Sequence, residues 1–283
     1  MNVRNLLVGT AAGAVLLGAA AAANATTIDL GGYIGGVQIK FNNYESFVDS
    51  SGNLTSTLAT GDQNFGVVQI TSISDNNGNT LWNPTLRHQW VYGVFNGITV
   101  SGISATGTEN TGGEFDFYVF TSNPNTPQTQ GTAGYAAAGC ALASLCYNGI
   151  TNVGATLALK VDLVPGVDPN PTTTLSATFN TSVFPPTGSA QAYADVVGGS
   201  NAAEFQTHSE ISPFGAPADL YLQDNFCVEG ATACPLTGGT NHWQDNSHDP
   251  VAGAVPEPSS LALLGSALFG SGFFARRRRK KKD

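Results

Sequence analysis

Apolar and polar residues alternate with a period of two along much of this chain. From Thr156 to Val164, Leu157, Leu159, Val161 and Leu163 fall on one face, and Ala158, Lys160 and Asp162 on the other. That spacing predicts a strand with one face on a core and the other in water. Val37, Ile39 and Phe41 repeat the pattern, as do Phe115, Phe117 and Val119. So do Leu175, Ala177 and Phe179, and then Leu220 and Leu222. Shorter strands are predicted at 67–73, 90–95, 98–103 and 191–197. Around Trp90, Tyr92 and Val94 the intervening residues Val91, Gly93 and Phe95 are apolar too. Both faces of that strand are therefore expected to be covered.

Turn signals separate these runs: Ser51-Gly52-Asn53, Asn77-Gly78, Asn96-Gly97, Gly112-Gly113 and Gly198-Gly199. Asn-Gly supplies the positive φ angles of tight hairpins. Roughly nine strands punctuated this way predict an all-β fold, an antiparallel sandwich or partly open barrel. One short helix is predicted, opened by Asn201 with Glu204 three residues later. Residues 121–134 and 165–174 read as long loops. Residues 26–229 form the β-rich body, and 230–254, rich in Gly, Asn, Asp and Pro, read as a flexible stalk.

Composition sharpens this picture. Of 283 residues, 41% are hydrophobic and 11% charged, against roughly 25% charged in ordinary soluble domains. The net charge is −9, but the body is more acidic than that. Between Thr26 and Ala254 three cations, Lys40, Arg87 and Lys160, stand against 18 acids, a net of −15. Such a surface repels phosphate backbones, so nucleic acid is excluded as a partner.

The two ends read as addresses. A short basic start with Arg4, an apolar run from Leu6 to Ala22, and Ala23-Asn24-Ala25 make a secretory signal over residues 1–25. Signal peptidase is expected to cut after Ala25. At the other end, Val255-Pro256-Glu257-Pro258 precedes an apolar run over 261–275. As a helix this run rises roughly 22 Å, a short membrane span extended by snorkelling side chains. Arg276, Arg277, Arg278 and Arg279, with three lysines after them, oppose translocation and hold the extreme end in the cytoplasm. The order Pro-Glu-Pro, apolar helix, Arg cluster resembles the PEP-CTERM sorting signal, over residues 255–283. The resemblance implies transient anchoring in the inner membrane, exosortase processing near Pro256-Glu257-Pro258, and a destination at the cell surface or in an extracellular matrix. It also implies a Gram-negative bacterium that makes exopolysaccharide. It does not specify what the body does.

Candidate chemistry in the body is sparse. Cys140, Cys146, Cys227 and Cys234 allow three pairings and lack a Cys-x-x-Cys spacing; disulfides in an oxidising compartment are expected. His242 and His248 bracket Asp245, with Asp249 adjacent, but the spacing matches no zinc motif, and no metal is expected. Asp75-Asn76-Asn77-Gly78-Asn79 has its glycine at the wrong position for a calcium loop and reads as a hairpin turn. Glu114 and Asp116 lie two apart on a strand, as a solvated face does. No Gly-x-Ser-x-Gly elbow or dinucleotide fingerprint occurs. The expectation is a non-enzymatic exported protein without cofactor, structural or adhesive, linked to exopolysaccharide or biofilm. The alternative is a secreted carbohydrate-binding module, calcium-assisted or not, in which tryptophans and tyrosines such as Trp82, Trp90 and Tyr221 stack on sugars.

Overall fold

A computed structural model describes residues 28–55, 57–121, 155–180, 187–228 and 245–255. The signal segment 1–25 and the span 261–275 lie outside them. Among the described residues no helix is long and apolar enough to cross a membrane.

The architecture is antiparallel β. In chain order the strands are β1 (Gly35–Val48), β2 (Leu54–Thr55), β3 (Gln63–Asp75), β4 (Thr80–Trp82), β5 (Trp90–Ser104), β6 (Gly107–Thr111), β7 (Glu114–Phe120), β8 (Thr156–Val164), β9 (Leu175–Asn180), β10 (Thr187–Gly198), β11 (Glu210–Ile211), β12 (Pro217–Ala218), β13 (Leu220–Val228) and β14 (Asp245–Val255). Among the described residues two single-turn helices, α1 (Pro84–Arg87) and α2 (Ala202–Phe205), join them.

Pairing runs β3, β1, β14, β13, β10, β8, β7, β5 and returns to β3. The sheet therefore closes on itself, as an up-and-down barrel does, and leaves no free edge along the ring. The alternatives of a sandwich and a partly open barrel give way to this closed ladder. Two of its staves are interrupted. β6 and β7 both pair with β5, at Thr99–Ser104 and Trp90–Asn96 respectively, and Gly112-Gly113 breaks the line between them. β8 and β9 both pair with β10, and residues 165–174 leave the wall between them. Thr174 stitches this gap: its N–H donates to the Asn110 carbonyl at 2.9 Å and its hydroxyl to the Gly112 carbonyl at 2.6 Å.

All nine strands expected from periodicity lie within strands of the sheet. The segments 90–95 and 98–103 are one strand, β5, so Asn96-Gly97 is not a hairpin turn. Gly97 (φ 74°) instead absorbs an irregularity in the ladder with β3. Residues 245–255 depart further from expectation. Residues 245–254 of the expected stalk, with Val255 of the sorting tail, form β14, with β1 on one side and β13 on the other. Composition hid this strand. At Gly253 a side chain would collide with Leu220, whose Cδ2 lies 2.7 Å from the Cβ position, so glycine there lets the wall close over a bulky neighbour.

The inner face carries the core: Ile39, Phe41, Ile70, Phe95, Phe115, Leu159, Val161 and Leu220 are all buried. The outer face of β1, β8, β9, β10 and β13 is mostly Gln, Ser, Thr, Asn and charged residues. This polarity is the reverse of a transmembrane barrel, which is apolar outside. An exception lies on the outer side of β3 and β5, where Phe65, Val67, Tyr92 and Val94 form a second buried cluster. Both faces of β5 are thus covered, as its sequence predicts.

One end of the barrel is plugged. There β1 starts, β14 ends, and Trp82 and Phe205 are fully buried. Asn201 ties the plug together. Its Oδ1 accepts the Ile28 N–H at 3.0 Å and its Nδ2 donates to Glu204 Oε2 at 2.8 Å. The Asn201–Glu204 pairing expected from sequence is present, but side chain to side chain; no side-chain cap of the helix N–H groups forms.

Candidate functional site

The barrel encloses a cavity of about 160 Å³. Its wall is aromatic on one side. Phe95 and Phe115 stack at 5.0 Å between centroids, and Phe115 and Phe117 at 6.1 Å with an 8° interplanar angle. β10, two strands round the ring from β7, contributes Ala190 and Ala192. Small residues there leave the room that large ones fill elsewhere. The end opposite the plug is polar, with Asn43, Glu45, Asn64 and Asp224 lining it. Glu45, Phe47, Leu58 and Phe179 are half-buried, so solvent reaches this end.

Asn64 stands out at the polar end. It is 8% exposed and sits on the inner face of β3. Its Nδ2 donates to Glu45 Oε2 at 2.9 Å, while its Oδ1 is buried and accepts no hydrogen bond among the described residues. Flipping the amide would set two oxygens against each other, so the Glu45 contact fixes which atom is left over.

A second arrangement occupies the outer wall. On β9, β10 and β13, Ser176, Gln191 and Gln223 lie side by side, and Thr178, Ser189 and Asn225 form the next row. Tyr193 and Tyr221 extend this surface, with ring centroids 4.9 Å apart and tilted by 35°. Burial raises both phenol pKa values above the ordinary 10.0, which keeps both hydroxyls protonated near neutral pH.

Further round, Lys160 donates to Glu114 Oε2 at 2.8 Å and reaches Asp116 Oδ1 at 3.5 Å. The Lys160 ammonium lowers the Glu114 pKa, against the opposing effect of desolvation, and the Glu114 hydrogen bond raises that of Lys160. This is an ion pair on a half-exposed strand face.

A third arrangement was missed by sequence reasoning. Asp195, His208 and Asp219 bring one potential ligand atom each within 4.8 Å of one another. Asp219 is 1% exposed. Its Oδ2 accepts the Val196 N–H at 2.9 Å, and its Oδ1 the His208 N–H at 2.7 Å. Both carboxylate oxygens are thus committed to backbone, and the group works as a latch holding 207–209 to β10. Asp195 comes from β10, His208 from a loop and Asp219 from the single residue between β12 and β13, and no spacing in the sequence announces them.

Of the residues singled out by sequence, Val255 ends β14, opposite Gly35. Pro256, Glu257, Pro258 and Arg276 to Arg279 lie outside the described residues, as do Ala23 and Ala25. So do Cys140, Cys146 and Cys234; the backbone of Cys227 lies in β13, opposite Thr187. Asp75 accepts from the Asn77 and Asn79 N–H groups at 2.9 and 2.8 Å and from Asn79 Nδ2 at 2.8 Å, a turn that uses its carboxylate. These bonds, that from Asn79 Nδ2 foremost, lower its pKa. Trp82 is core rather than platform.

The described residues form a closed antiparallel barrel, apolar within and largely polar without. The tail is more particular. Residues 254–279 match the family model described as the PEP-CTERM protein-sorting motif, so the chain carries the mark of a protein exported, held briefly in the membrane, and handed to an exosortase. No curated protein sequence matches the chain. Two solved structures of Ail, the attachment invasion locus protein of Yersinia pestis, align with 78% of this chain and 99% of theirs, at 8% and 7% identity and a TM-score of 0.13 each. One holds the heparin analogue sucrose octasulfate. At that score the likeness carries no argument about fold or ligand.

Proposed function

We propose that this exosortase-sorted protein is a non-enzymatic component of the cell envelope or extracellular matrix, structural or adhesive, and that its barrel contacts exopolysaccharide. The observation that supports the reading is the neutral hydrogen-bonding surface on β9, β10 and β13. Hydroxyls and amides in two cross-strand rows, with a tyrosine pair at one end, match the chemistry of a hydrated sugar polymer. The side chains of both rows are uncharged, whereas residues 26–254 as a whole carry a net charge of −15.

Co-sedimentation of the processed protein with secreted polysaccharide from the producing cells tests this. Gln191→Ala with Gln223→Ala, and Tyr193→Ala alone, are expected to move the protein into the supernatant. Unchanged sedimentation of all variants, or none by the wild type, overturns the reading. A carbohydrate-binding module in the strict sense is the second reading, favoured by the Tyr193–Tyr221 pair, since aromatic faces stack on sugar rings. Defined oligosaccharides separate the two: a module binds a short one saturably, and a matrix component needs the polymer.

A further inference from the structure

We infer that the plugged end of the barrel is a lipid-contact surface: while the tail anchors the chain, this end rests on the outer leaflet of the inner membrane. The inference rests on the transient anchoring that the sorting motif marks. Three observations carry it. The first is where the chain leaves the barrel. Val255 pairs with Gly35 at the plugged end, and the apolar run of the tail starts at Leu261. The residue steps between Val255 and Leu261 span at most about 21 Å. The wall is longer. β1 has 14 residues, which at about 3.3 Å per residue and a barrel strand's tilt gives roughly 35 Å along the axis. A chain that enters the bilayer at Leu261 can seat the plugged end on it and cannot seat the polar end. Lying flat would press Gln38, Lys40 and Asn42 of β1, or Gln223 and Asn225 of β13, against lipid.

The second observation is the other end of the chain. Ile28 and Leu30 are buried in the plug, and the Ile28 N–H donates to Asn201 Oδ1. Only Thr26 and Thr27 separate Ile28 from Ala25, after which the signal is expected to be cut. Both membrane-directed segments thus attach to one end of the cylinder. The third is the surface there. Ile34, which precedes β1, is 40% exposed; Leu86 on α1 is 53% exposed, and Val197, next to last on β10, 48%. The ion pair of Asp29 and Arg87, 3.1 Å apart, adds no net charge beside them, so the contact is apolar. Three such side chains hold lipid weakly on their own. A tether of a few residues keeps them at about millimolar effective concentration. Cleavage removes the tether, so the same surface lets go of the membrane once the protein is processed.

The test uses the full-length chain in vesicles of phosphatidylethanolamine and phosphatidylglycerol whose acyl chains carry bromine, a short-range quencher of tryptophan. Leu86→Trp and Ile34→Trp place a reporter at the plugged end; Thr178→Trp places one on the exposed face of β9, toward the polar end. The emission added by each is read against the wild type, after flotation shows the chain to be in the membrane. Apolar side chains seated in the interface lie about 5–10 Å into the headgroup–acyl boundary, within reach of the bromines. Leu86→Trp and Ile34→Trp are expected to lose most of their added emission, and Thr178→Trp none. Equal quenching at all three sites, or none at the plugged end of a chain that floats with the vesicles, overturns the inference and leaves the anchoring intact. A chain that does not float overturns both. Quenching at Leu86→Trp that requires added exosortase assigns this end to a protein and overturns the lipid reading.

Discussion

Asp219 holds Val196 in place: a carboxylate oxygen accepts the buried backbone N–H of β10 at 2.9 Å, 23 residues away in sequence. The other oxygen takes the His208 N–H. Asp219→Ala strips the acceptor from two N–H groups at once, one of them buried. A loss of about 3 kcal/mol is expected, from bonds to a charged group that nothing replaces. Asp219→Asn keeps one acceptor and should lose about half as much. Urea midpoints at constant m-value measure both.

The fit between Gly253 and Leu220 predicts a second effect. Gly253→Val drives a branched side chain into a buried leucine at the seam of the ring. Overpacking of this kind costs about 1–3 kcal/mol. Gly253→Val with Leu220→Ala should recover part of the loss, which a double-mutant cycle detects.

Chain length gives a third test. A chain ending at Val255 retains every described strand. One ending at Gln244 lacks β14 and leaves β1 and β13 unpaired along that side. The longer chain should show a cooperative urea transition, and the shorter one should aggregate or melt without one.

The Lys160–Glu114 pair predicts a small pH dependence with a defined sign. The Glu114 pKa is depressed, so its contribution is present above the ordinary 4.5 and is lost as pH falls through the folded value. The Lys160 pKa is raised, so its contribution is present below the ordinary 10.5 and is lost as pH rises through the folded value. Both hold between those limits. The side chains are 35% and 42% exposed, so solvent screening keeps the pair under about 1 kcal/mol. Lys160→Met should flatten the acid limb of stability against pH by that amount and no more.

Sorting supplies the last prediction. Replacing Pro256, Glu257 and Pro258 with alanines should leave the precursor in the inner membrane at its full length. Fractionation and mass spectrometry of the C-terminus read this. Release at the normal mass would remove the exosortase from the account.

The strands were legible because burial on one face writes itself into the sequence as alternation; Leu157 to Leu163 is the plainest case. Closure was not. Gly35 meets Val255 across the seam, and no local pattern reports a partner 220 residues distant. β14 was lost for a different reason: its inward bulk is supplied by Leu220 of a neighbouring strand, so its own sequence looks like a linker. The Asn96-Gly97 and Gly112-Gly113 pairs carried a correct signal, positive φ, but in irregularities and breaks of long staves rather than in hairpins. Asn64 could have been noticed. It sits in phase with Val68 and Ile70 on the inner face of β3, a polar side chain in an otherwise apolar row. Asp195, His208 and Asp219 meet only after β10 and β13 have folded past one another.

The seam strand is followed at once by the sorting motif, which sets an order of events during secretion. A polypeptide threaded head-first through the export channel delivers the thirteen other described strands before β14, which joins β1 to β13. Without β14, β1 and β13 have no neighbour on that side and the ring of paired strands stays open. Val255, opposite Gly35 at the plugged end, is joined directly to Pro256, so the sorting tail departs from that end of the cylinder.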